Sequence, residues 1–73
     1  MSRLPQLSGR EIIAAFRRDG WQVDRQRGSH VLMTKSGHVV SLSIPLHSPV
    51  GRGLLHDLIR KADLTVEQLI DLL

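Results

Sequence analysis

The hydrophobic period of this chain changes at Gly20 and again at Pro45, and that double switch restricts the available folds more than any other feature. Ahead of Gly20 the apolar residues Ile12, Ala15 and Phe16 recur at helical spacing with Ile13 flanking, while Arg10, Arg17 and Arg18 lie off the stripe. Between Trp21 and Ile44 the pattern alternates residue by residue, as a half-buried sheet requires. After Pro45 the stretch GLLHDLIRKA returns to helical spacing through Leu54, Leu55, Leu58, Ile59 and Ala62. The order is therefore helix, sheet, helix.

Local signals sharpen the boundaries. Ser8 and Glu11 form a capping-box pattern with Leu7 and Ile12 as a hydrophobic staple, and Thr65 and Gln68 repeat the device between Leu64 and Leu69. Gly20 supplies a left-handed stop. Helices are predicted near residues 9–19, 52–62 and 66–72. In the sheet, Trp21, Val23 and Arg25 alternate with Gln22, Asp24 and Gln26, Arg27-Gly28-Ser29 reads as a turn, and Ser29 to Lys35 reads as a second strand. Ser36-Gly37 is expected to make a tight hairpin into a third strand, His38 to Ile44, with Val40, Leu42 and Ile44 on the core face. Val31 and Met33 are taken as the inward pair of strand two, which leaves His30 on the outer, approachable face with Leu32. The fold class is α+β: a small α/β sandwich of helix, three-stranded antiparallel sheet, helix and short C-terminal helix. Both long helices cover one side of the sheet. Double-stranded-RNA-binding domains share this architecture, an analogy that proves no function.

Seventy-three residues make one small domain, residues 1–73, too short to enclose a deep small-molecule pocket. Without cysteine there is no disulfide framework or thiolate metal site, and without a long apolar run neither a membrane span nor a signal peptide is expected. A soluble cytoplasmic protein is expected. Ten Lys and Arg against seven Asp and Glu leave a formal charge of +3, which favours a polyanionic partner. One Phe, one Trp and no Tyr speak against gripping single strands by base stacking. An RNA partner would be held by shape and phosphate contacts.

The four histidines, at 30, 38, 47 and 56, match no zinc signature, so no metal or cofactor is expected. There is no phosphate-binding glycine loop and no nucleophile elbow. What remains open to so small a protein is chemistry at the surface of a large substrate. RNA cleavage is of that kind, because the substrate brings its own nucleophile in the 2′-hydroxyl. In the stretch RQRGSHVLM, His30 is an imidazole suited to moving that proton. Arg25 and Arg27 would supply phosphate donors, Gly28 close backbone approach, Ser29 a small hydroxyl, and Lys35 a further cation. Composition and spacing do not separate this reading from an ordinary strand histidine. The remaining singled-out residues have plain structural readings: Arg17 and Arg18 as a solvated helix face, Trp21 as core cover, and His38 as a solvated neighbour of the hairpin turn.

The chain resembles the HicA family of toxins, the mRNA-cleaving partners in HicAB toxin–antitoxin modules. The likeness is carried by Leu4-Pro5 and Gly9-Arg10-Glu11, Gly20-Trp21, Gly28-Ser29-His30, Ile44-Pro45-Leu46-His47, and Gly53-Leu54-Leu55 through Ile59-Arg60-Lys61-Ala62 with Leu64-Thr65. The pieces occur in order across nearly the whole chain. The resemblance implies a fold like that of double-stranded-RNA-binding domains, ribosome-independent cleavage of mRNA, and neutralisation by a HicB antitoxin. It maps the family's catalytic histidine onto His30. It also matches His47 to the histidine of a Pro-x-His piece, whose role is either substrate contact or loop structure. Two positions depart from the pattern: His56 replaces a basic or polar residue, and Asp63 stands where glycine is frequent. A non-catalytic RNA-binding module using the same basic surface is the competing class, and a structural subunit ranks last.

Overall fold

The helix signals at Ser8 and Thr65 act as the sequence predicts. In the computed structural model, which describes residues 4–73, α1 spans Gly9–Arg18, β1 Gln22–Arg27, β2 His30–Thr34, β3 Leu42–Pro45, α2 Arg52–Lys61 and α3 Val66–Asp71. The Ser8 hydroxyl accepts the Glu11 N–H at 3.2 Å while Glu11 Oε1 accepts the Ser8 N–H at 2.9 Å. Thr65 and Gln68 make the same reciprocal pair at 3.1 and 2.8 Å. Each box satisfies two orphan donors of a helix start, worth about 1 kcal/mol. No helix among the described residues is long and apolar enough to cross a membrane.

The sheet is antiparallel throughout, in the order β1-β2-β3. Val31 faces Ile44 and Met33 faces Leu42 on the inner side, and all four are buried beneath α1 and α2. His30 faces Pro45 and Leu32 faces Ser43 on the outer side. From the helices the core receives Ile12, Ala15 and Phe16 of α1, Leu55, Leu58 and Ile59 of α2, and Leu69 of α3. Trp21, 1 % exposed, closes one end of this core with its ring edge-on to Phe16 at 6.4 Å. Burying a large apolar side chain contributes about 1.5–3 kcal/mol, so this single layer supplies most of the stability.

Three expectations need correction. The third strand begins at Leu42 instead of His38. The Lys35 carbonyl accepts the His38 N–H at 3.1 Å, so Ser36-Gly37 does form a turn, but the chain leaves the ladder there and returns only at Leu42. Val40 consequently lies exposed outside the core face that Leu42 and Ile44 occupy. His38 is half-buried instead of solvated: its ring lies 5.2 Å from that of Trp21, and its Nδ1 is shut off from solvent. That packing competes with strand pairing and holds the segment away from β2. Leu54, though at helical spacing, is turned out to solvent.

Candidate nucleic-acid interface

Arg27 and His30 are directly paired across the β1–β2 hairpin, joined by Gly28 and Ser29 alone. Gly28 has a φ of 56°, the left-handed value that a two-residue hairpin turn needs at its first position. The Gly28 carbonyl accepts the Gln26 side-chain amide at 2.9 Å, and the Ser29 carbonyl accepts the Leu46 N–H at 2.6 Å. The turn is thus tied to both neighbouring strands. His30, on the central strand with paired residues on either side, presents its exposed ring to solvent from a fixed backbone.

An irregularity in β1 decides which face the arginines share. Val23 pairs with Met33 and Arg25 with Leu32, so Asp24 is an extra residue opposite a regular step of β2. A uniform strand would put Arg25 and Arg27 on the side of Trp21 and Val23. The bulge resets the alternation, and Arg25 and Arg27 join His30 and Leu32 on the outer face. The sequence shows Asp24 only as one more alternating residue, and the sole hint of a bulge is two basic residues continuing the apolar phase. Ser43, exposed on β3 opposite Leu32, belongs to the same face; in the sequence it registers only as a polar strand position.

The proposed cations do not all converge. Arg25 Nε lies 3.8 Å from Asp24 in an exposed pair, a weak tie that leaves its guanidinium free for a ligand. Arg27 has no carboxylate partner among the described residues. Lys35 instead lies on the helix side of the sheet, its Nζ 3.3 Å from the Asp19 carboxylate beyond the end of α1, and so stands apart from His30. His47 is exposed in the loop after β3, where its carbonyl accepts the Gly9 N–H at 2.9 Å, and it borders a shallow depression with Ser8, Arg10 and Ser48. Among the described residues no three His, Asp or Glu side chains gather into a metal-binding group.

Gly9 links α1 to this face. A Cβ there would overlap the Pro45 carbonyl oxygen, so only glycine allows the helix start to seat against the end of β3, where Pro45 pairs with His30. Glycine in the Gly-Arg-Glu piece therefore has a steric cause that its place in a helix start does not reveal.

A hairpin-borne histidine beside two arginines on the open side of a three-stranded sheet has the chemistry to hold a phosphodiester and to take a proton from a hydroxyl beside it. Comparison with known proteins agrees with that fold. A chain of a toxin–antitoxin complex from Streptococcus pneumoniae superposes with a TM-score of 0.70 at 26% identity, covering 82% of this chain and 100% of its own. The comparison with curated proteins gives no match. The family model described as HicA toxin of bacterial toxin-antitoxin matches residues 9–64, a span that runs from the glycine seated on Pro45 through the hairpin histidine to the start of the last helix. On that span the chain belongs to the HicA toxin family.

Proposed function

We propose that this chain is the toxin of a HicAB-type module and acts as an endoribonuclease on mRNA, with His30 as general acid/base and no metal or cofactor. The observation that carries the proposal is that His30 and Arg27, both exposed, stand directly opposite one another in the β1–β2 ladder. A phosphodiester laid on the outer face meets Arg25 and Arg27 through its non-bridging oxygens, which offsets the charge that develops as phosphorus becomes five-coordinate. His30 takes the proton of the adjacent 2′-hydroxyl. The 2′-oxygen then bonds to phosphorus, the bond from phosphorus to the 5′-oxygen breaks, and the departing oxygen takes a proton from the imidazolium or from water. Ser29 and Gly28 let the strand approach the turn closely, and His47 extends the contact along the loop after β3. A HicB-type antitoxin laid over this cationic face neutralises the toxin by occupying it. The setting is the cytoplasm.

The test is cleavage of transcripts by purified His30 variants. His30→Ala is expected to lose about a hundred- to ten-thousand-fold in rate, the usual contribution of a positioned acid/base group, while remaining folded and able to bind RNA. His30→Lys keeps a positive charge but has a pKa near 10.4, about four units above imidazole, and is expected to be as slow. A lysine variant as fast as the parent would reduce His30 to a phosphate cation. No cleavage by the parent would leave an RNA-binding module.

A further inference from the structure

On the side of the sheet away from His30, a groove of about 360 Å³ opens between α1 and the β1 edge. Its apolar lining comes from Ile13 and Ala14 of α1, Val23 of β1, Val31 of β2 and Leu46, with Gln26 beside them, and Arg10 and Arg17 flank it. Val23 is 46% exposed, large for a valine on the helix-covered side of a sheet. The two arginines are seven positions apart on one helix, which places them on the same face and about 10 Å apart along the axis. Neither has a carboxylate partner among the described residues: Glu11 is engaged in its capping box, Asp19 with Lys35, Asp24 with Arg25, and Asp57 with Arg60 and Lys61.

We propose that this groove is a second docking surface for the protein partner, and that it takes an acidic amphipathic helix. Two carboxylates seven residues apart reach Arg10 and Arg17, and the aliphatic side chains between them fill the space over Val23 and Ile13. The proposal rests on the toxin–antitoxin reading and adds a site that the His30 face does not include. The lining selects the class of occupant. It offers no aromatic ring on which a base could stack, and RNA phosphates would have no use for an aliphatic floor between the two cations. A second copy of this chain, itself carrying +3, would bring arginine against arginine. A partner anchored here raises the local concentration of whatever segment covers His30, because the second contact becomes intramolecular.

The probe is a fluorescein-labelled synthetic helical peptide with two glutamates seven residues apart and leucines on the same face between them, titrated into the full chain by anisotropy. The parent should bind it, and Arg10→Glu/Arg17→Glu should weaken binding at least about tenfold. Replacing the two peptide glutamates by lysines should restore binding to that double variant. Val23→Gln, which leaves both arginines in place, should also weaken it. Cleavage of RNA by Val23→Gln, which changes no charge, should match the parent, which separates this site from the His30 face; a parent that cleaves nothing would sink the nuclease reading and leave the peptide result standing. The proposal is overturned if the parent does not bind the peptide or if the double variant binds it equally well. It is also overturned if the variants lose RNA binding but not peptide binding, or if sedimentation shows the chain to be a dimer that Val23→Gln dissociates.

Discussion

Asp63, the residue after the α2 C-cap Ala62, has a φ of 62°, a left-handed conformation in which glycine pays no side-chain penalty. The N–H of Leu64 reaches back to the Ile59 carbonyl at 3.1 Å, which closes the helix in the manner of a glycine-terminated end. The departure from the family pattern at this position is thus a local strain with no contact to the His30 face. Asp63→Gly is expected to raise stability by about 0.5–1 kcal/mol, read as a higher urea midpoint at unchanged slope, and to leave RNA cleavage as it is. Lys35 shows the reverse relation between sequence and role. Its charge suggested a phosphate contact, but its half-buried pairing with Asp19 makes it a tie between the end of α1 and the end of β2.

The elements divide into those that hold the core and those that aim the site, and α1 does both. Its capping box and its close seat on Pro45 occupy adjacent residues but have separable consequences. Ser8→Ala removes one capping bond and is expected to cost about 1 kcal/mol of unfolding free energy, with little change in cleavage by the folded protein. Gly9→Ala forces a methyl group into the Pro45 carbonyl, so β3 or the helix must move, and with them the strand that pairs with His30. It should reduce both the urea midpoint and the cleavage rate. Equal loss of stability in the two variants with equal activity would refute the link between the helix seat and the site.

For the molecule as a whole, the sheet separates two charged surfaces, and salt dependence distinguishes them. RNA affinity should fall with rising salt, and Arg27→Ala should lower the slope by about one counterion, the one released by the phosphate that Arg27 neutralises. Lys35→Ala, on the other side of the sheet, should leave that slope unchanged and cost about 1 kcal/mol of stability instead. Equal reductions in slope would mean that RNA wraps the edge of the sheet. In the antitoxin complex, His30 is expected to become inaccessible to diethyl pyrocarbonate, the acylating reagent for exposed imidazoles. Unchanged modification of His30 in the complex would show that neutralisation works without covering it.

Much of the architecture was legible in the chain alone because local interactions specify it. Both capping boxes, the turn at Gly28, the inward pair Val31 and Met33, and the outward His30 follow from contacts between residues a few positions apart or from simple alternation. Family membership was legible for the same reason, since its motifs sit on these local devices. The features that escaped the sequence depend on distant partners. The late start of β3 follows from His38 packing on Trp21, seventeen positions away, and the loss of Lys35 from the candidate site follows from Asp19, sixteen positions away. The gathering of Arg25, Arg27 and His30 depends on the bulge at Asp24, which exists only in the pairing of β1 with β2. Alternation along one strand says which residues share a face only while the ladder stays regular, and regularity is a property of two strands together.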